Sequence, residues 1–198
     1  MKGLALVVFT TAFCVAEAVI GIGAGIHDRS ASLESFGLDS VIEVLLGVVL
    51  AWRLAVEAQG AETERLKAVE RRANRIVGAG FYALAAFIVA NSALTLWRHV
   101  VSHPGGLGLG LAGVAVLSMP VLAIAKKRVG KAIGSEALAA EAGCTMICAY
   151  MSAILLVGLA ATRYLGCWWA DPVAAFGLLY WVAREGHEAF ERAADRPG

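Results

Sequence analysis

Asp39 and Glu43 stand four residues apart inside SLESFGLDSVIEVLLGVVLAWRL, the stretch from Ser32 to Leu54, which is otherwise largely apolar. That spacing puts both carboxylates on one face of a helix, about one turn apart. The stretch is long enough to span a membrane. A carboxylate at the centre of a spanning helix costs roughly 2.5–3.5 kcal/mol on insertion scales, so two on one face are hard to explain as filler. Ser32 and Ser35 extend the same polar stripe. Oxygen donors converging in a medium of low dielectric suit a cation, and the stripe is expected to form half of a cation site inside a helix bundle. The competing explanation is polar glue between helices.

A second set of candidate donors lies in EALAAEAGCTMICAYMSAILLVGLAAT, where Glu141, Thr145, Cys148 and Ser152 recur at helical spacing on one face. Cys144 falls at its edge. Cys144 and Cys148 are either soft metal ligands or small buried hydrophobes. Glu141 is either a ligand or an interfacial residue at a helix start. The first apolar stretch holds Glu17, with Thr10, Cys14 and Gly21 on its face. Glu17 is either a proton relay or a carboxyl that packs helices together. Asp171, in Trp168-Trp169-Ala170-Asp171-Pro172, is a further relay or supporting candidate, and Pro172 suits a first helical turn. His27, His99, His103 and His187 lie at apolar-segment edges or in loops and are not expected to be principal ligands.

The elements that position these groups follow from composition. The chain has 198 residues, 59% of them hydrophobic, and a mean hydropathy of +0.71. Soluble domains are usually about 45–50% apolar. Six apolar stretches appear, at roughly 4–26, 33–52, 76–97, 107–125, 137–162 and 168–183, the last one short. The expected fold is a single all-α domain, a bundle of six transmembrane helices. The start resembles a secretory signal with cleavage near Ala16-Glu17-Ala18, but the apolar run continues through VIGIGAGI and five more stretches follow, so a first transmembrane helix is expected. Gly21 and Gly25 would permit close helix contact, and Pro120 would kink the fourth helix. With Cys14, Cys144 and Cys148 all in apolar stretches and only Cys167 in a loop, no disulfide framework is expected.

Charge is segregated. If Lys2, the 53–75 connector, the 126–131 loop and the 184–198 tail share one side, that side holds 14 of the 17 Lys and Arg residues, leaving Arg29, Arg98 and Arg163 on the other. The positive-inside rule then makes both termini cytoplasmic. Residues 53–75 are expected to be a charged cytoplasmic connector, a solvated helical hairpin with pairs such as Glu62–Arg65 and Glu64–Lys67. The net charge of +1 gives no reason to expect nucleic acid as a partner. At a rise of about 1.5 Å per residue, Glu43 and Cys148 come out level near mid-membrane, and Asp39 and Glu17 lie together nearer the outer face.

The Asp39-x-x-x-Glu43 pair, the polar fifth helix, Ala170-Asp171-Pro172 and six spans with both ends inside together resemble the cation diffusion facilitator (cation efflux) family of divalent-metal exporters. The resemblance implies a tetrahedral metal site built from an acidic pair on helix two and a His-x-x-x-Asp pair on helix five, with metal exchanged for protons. Asp39 and Glu43 match the first pair, with Glu for Asp at the second position. Helix five departs from the pattern. It has no His, and offers Glu141-x-x-x-Thr145 or Cys144-x-x-x-Cys148 instead. The family's usual cytoplasmic metal-binding domain after helix six has no counterpart before Gly198, so dimer contacts are expected between the spans.

The expected function is proton-coupled efflux of a divalent metal across the cell membrane by a homodimer. Zn²⁺ or a neighbouring transition metal is the expected cargo, because carboxylates plus thiolate suit it better than Mg²⁺. No tightly bound cofactor and no enzymatic activity are expected: there is no nucleophile-and-base arrangement and no nucleotide-binding loop. The alternative is a membrane metal sensor or assembly partner that transports nothing.

Overall fold

Each of the first five apolar stretches lies within its own α-helix in the computed structural model, which describes residues 2–57 and 63–194, and the sixth begins two residues before its helix, with Trp168 and Trp169 in the preceding turn. The helices are α1 (Lys2–Asp28), α2 (Ala31–Glu57), α3 (Thr63–Trp97), α4 (Gly106–Ile133), α5 (Glu136–Leu165) and α6 (Ala170–Ala194). There is no strand among the described residues. The first five helices are each long and apolar enough to cross a membrane. In α6 the uncharged run 172–183 lies between Asp171 and Arg184, shorter than the roughly 20 residues a span needs. Its neighbours are spanning helices, since it packs along α3 and α5.

The helices run past the apolar stretches. Lys126, Lys127, Arg128 and Lys131, expected in a loop, all lie within α4, which continues to Ile133 through Pro120. Charged residues such as Lys and Arg are good helix formers, so hydropathy falls there before helicity does. Gly134 ends α4 in the left-handed conformation (φ 68°), and Ser135 caps α5 by accepting from the Leu138 amide. Much of the charged connector is likewise helical, in the end of α2 and the start of α3. The expected pairs Glu62–Arg65 and Glu64–Lys67, and the tail beyond Ala194, lie outside the described residues and side chains.

Packing makes α2 the central helix. It touches α1, α3, α5 and α6, while the largest pairings are α1 on α2, α4 on α5 and α3 on α6. Glycines set the α1–α2 distance. A Cβ on Gly37 would come within 2.6 Å of the Ile22 nitrogen, and one on Gly21 within 2.9 Å of the Gly37 Cα. Neither space exists for a real side chain, so the crossing requires small residues. At one end of α2, Asp171 of α6 accepts from the Ser30 hydroxyl (2.7 Å), the Ala31 amide (2.8 Å) and the Ser32 hydroxyl. The carboxylate supplies the partners that a helix N-terminus lacks and complements its dipole. Thus α2 is fixed laterally by α1 and longitudinally by α6.

Candidate metal centre

Midway along α2, Asp39 is buried, and the Cys148 thiol of α5 donates to its Oδ2 at 3.4 Å. One turn along, the Cys14 thiol of α1 donates to Glu43 Oε2, again at 3.4 Å. The ligand atoms of Cys14, Glu17 and Glu43 all lie within 4.8 Å of one another. Glu17 is only 1% exposed, and neither of its carboxylate oxygens has a hydrogen-bond partner. Buried polar atoms are nearly always paired, so an orphaned carboxylate facing two more donors marks a place for a proton or a cation.

Local geometry accounts for the convergence. Asp39 and Glu43 share a face at i and i+4, and Cys14 and Glu17 share one at i and i+3. The close glycine crossing lets the second face meet the first. The result is three carboxylates and two thiols drawn from α1, α2 and α5. A tetrahedral zinc centre with Zn–S near 2.3 Å and Zn–O near 2.0–2.2 Å has ligand–ligand edges of roughly 3.3–3.8 Å. Its sulfur–oxygen edges are roughly 3.5–3.7 Å, and both thiol–carboxylate separations, at 3.4 Å, lie just short of that.

The other candidates lie around this cluster in distinct settings. Glu141 and Thr145 are held by an internal cation: the buried Lys126 ammonium is 3.0 Å from Glu141 Oε1 and donates to Thr145 Oγ1 at 3.0 Å. Thr145 in turn donates to the Glu141 carbonyl. A narrow cavity lined by Cys14, Glu43, Lys126, Glu141, Cys144 and Thr145 joins this pair to the central cluster. Cys144 turns toward α6, where it donates to Glu185 Oε2 at 3.3 Å. Asp171 is separated from the cluster and serves as the α2 cap described above. Ser35 is satisfied by the Ala31 carbonyl. His27 pairs with Asp28, and His187 pairs with Glu191 on an exposed face.

Sequence reasoning did not select Cys14, Lys126 or Glu185. Cys14 shares a face with Glu17, which was a usable signal. Lys126 opens a basic run at the end of an apolar stretch, where a buried lysine and an interfacial one look alike. Glu185 lies in the charged tail of α6, where no pattern separates it from its neighbours.

Residues 6–193 match the cation efflux transmembrane domain. The chain belongs to the cation efflux family. The match runs through all six helices, so the cluster on α1, α2 and α5 lies within the family domain. This cation efflux protein is therefore a multi-pass integral membrane protein and a cation transporter. Comparison with curated proteins gives no match. The donor types in this particular chain are thus the best guide to its cargo.

Proposed function

We propose that this protein exports Zn²⁺, or a transition metal close to it in size and softness, in exchange for protons. The observation that carries the reading is the pair of 3.4 Å thiol–carboxylate contacts, Cys148–Asp39 and Cys14–Glu43, flanked by the unpartnered Glu17. Mixed sulfur and oxygen donors favour borderline metals over Mg²⁺ and Ca²⁺, which take oxygen ligands. Asp39, Glu43, Cys148 and Cys14 are the proposed ligands, with Glu17 beside them. Glu141 and Thr145 sit on the approach, where Lys126 holds them.

Proton exchange follows from the same geometry. Each thiol is in hydrogen-bond contact with a carboxylate, an arrangement that needs a proton between sulfur and oxygen. A thiol must lose its proton to ligate metal, so metal entry releases protons and metal departure takes them up. Glu17 is suited to relay them, being buried, unpartnered and within 4.8 Å of the ligand atoms of Cys14 and Glu43. The direction of export rests on the basic end of the bundle facing the cytoplasm.

The test is zinc flux into inverted vesicles or proteoliposomes, with and without an imposed pH gradient. Flux that rises with the gradient and disappears in the Asp39→Asn, Glu43→Gln double variant supports the reading. Transport surviving in that variant would make the carboxylates structural, and absence of metal-dependent flux in the wild type would overturn the proposal in favour of a sensor or assembly partner.

A further inference from the structure

The ends of α4, α5 and α6 enclose a second cavity, a cleft of about 490 Å³. Its wall includes Cys144, the carboxylates Glu185 and Glu188, and the cations Lys127, Arg184 and Arg192. Cys144 also lines the narrow inner cavity that reaches Cys14 and Glu43. It is therefore the one cysteine common to these two cavities. Its thiol donates to Glu185 Oε2 at 3.3 Å, a few tenths of an ångström short of the sulfur–oxygen edge of a tetrahedral zinc centre, roughly 3.5–3.7 Å.

Glu185 supplies a second observation. It is 4% exposed, it lines the cleft, and its Oε1 has no hydrogen-bond partner. The neighbouring cation is only loosely engaged with it. Arg192 Nη2 is 4.0 Å from Glu185 Oε2, whereas it makes a 3.0 Å bond to Glu188. Arg192 Nη1 also points at the Cys144 sulfur from 3.9 Å. A thiol and a half-satisfied buried carboxylate thus face a cleft, with a guanidinium that has an alternative anchor. An incoming divalent cation could replace Arg192 at Cys144 and Glu185 while Arg192 stays paired with Glu188.

We propose that Cys144 and Glu185 form a second, weaker metal-binding station that receives the cation from the cleft before it passes to the central cluster. It takes the same class of cargo, a borderline or soft divalent metal, because it offers one sulfur and one carboxylate. Few ligands and a nearby guanidinium keep the affinity low, which suits a station that must also release. The path then runs from Glu185 and Cys144, past the Lys126–Glu141 pair, to Cys14 and Glu43. This inference rests on the transporter reading above, but its test separates the two.

The experiment uses the full chain in lipid nanodiscs, with Cd²⁺ as a spectroscopic substitute for Zn²⁺. Equilibrium dialysis counts bound Cd²⁺, and mass spectrometry follows alkylation of Cys144 and Cys148 separately. Wild type is expected to bind two Cd²⁺ at saturation. In Asp39→Asn, Glu43→Gln one site remains, and Cd²⁺ still slows alkylation of Cys144. Glu185→Gln and Cys144→Ser each remove the weaker site and leave the tighter one. A second readout in unmodified protein guards against misfolded variants: Cd²⁺ titration should protect Cys148 first and Cys144 at a concentration at least tenfold higher. One bound Cd²⁺ with no protection of Cys144 at any concentration overturns the station and leaves the central site standing. No bound Cd²⁺ in the wild type overturns both.

Discussion

Asp171 separates a structural role from a chemical one, because its position in the sequence suits either. The structure gives its carboxylate three donors, Ser30 Oγ, the Ala31 amide and Ser32 Oγ, in a fully buried setting. Asp171→Ala strands them all. An unsatisfied buried donor costs about 1–3 kcal/mol, so the ceiling is roughly 3–9 kcal/mol. One feature lowers it. Ser30 Oγ lies 3.5 Å from Ser32 Oγ, so one of the two hydroxyls can donate to the other. The Ala31 amide has no such substitute, and loss of the charge at the α2 N-terminus adds about 0.3–1 kcal/mol. The expected destabilisation is therefore about 3–5 kcal/mol, with Asp171→Asn, which retains one acceptor oxygen, losing about half as much.

The assay is unfolding of the purified protein in bicelles by added denaturing detergent, paired with zinc affinity of the folded fraction. Ala31 is about 12 Å from Asp39 along α2, so the affinity of molecules that remain folded should change less than threefold. A destabilisation under about 1 kcal/mol for Asp171→Ala would refute the capping argument. So would a normal melt for Asp171→Asn combined with lost pH dependence of transport, which would make Asp171 a relay instead.

Glu17→Gln keeps size and hydrogen-bonding capacity but cannot titrate; it is expected to fold and bind zinc while losing much of the pH dependence of transport, and a wild-type pH profile would make Glu17 structural. Cys14→Ala and Cys148→Ala should each weaken zinc or cadmium binding by at least about tenfold, the scale seen when even supporting residues around a metal are removed, and Cys148→Asp should shift preference toward harder cations; unchanged isotherms would remove the residue from the site. Glu141→Gln takes the carboxylate from a buried ammonium 3.0 Å away and should cost about 3–5 kcal/mol of stability, whereas Lys126→Met with Glu141→Gln should recover most of it; equal losses in the single and double variants would show that the pair is not coupled.

The fold was legible because apolar stretches in this chain are long and because charge inside them is conspicuous by type alone. Asp39 and Glu43 needed no structure to be singled out. Helix ends were not legible, since hydropathy marks where a membrane would stop, while α4 continues through Lys126 and Arg128 to the left-handed Gly134. Relative levels on neighbouring helices were legible to about a turn. Glu43 and Cys148 were expected level, and the thiol bonds instead to Asp39, one turn away along α2. Glu17 was expected beside Asp39, and its nearest candidate ligands are Cys14 and Glu43. Which helix faces which was beyond sequence spacing. That depends on rotation about each axis, and for α1 it is decided by Gly21, Gly25 and Gly37, whose missing side chains allow the crossing.

Helix five illustrates why residue type and periodicity cannot by themselves choose a ligand set. Glu141-x-x-x-Thr145 and Cys144-x-x-x-Cys148 are equally good helical pairs in the sequence. Rotation and neighbours divide them into three environments. Cys148 turns to the α2 carboxylates, Cys144 to Glu185 on α6, and Glu141 with Thr145 to Lys126 on α4. The lysine matters most for the route. Lys126 and Glu141 form an internal ion pair, whose field falls off faster than that of either charge alone. On the proposed route, a dication passing toward Cys14 and Glu43 would therefore meet a dipole rather than a bare ammonium. Were Glu141 instead a free ligand, Lys126 would stand as an uncompensated buried charge on the approach, and a cation would be repelled before it reached the cluster. On that reading, the same ion pair that holds Glu141 and Thr145 beside Lys126 would leave the approach passable to a cation.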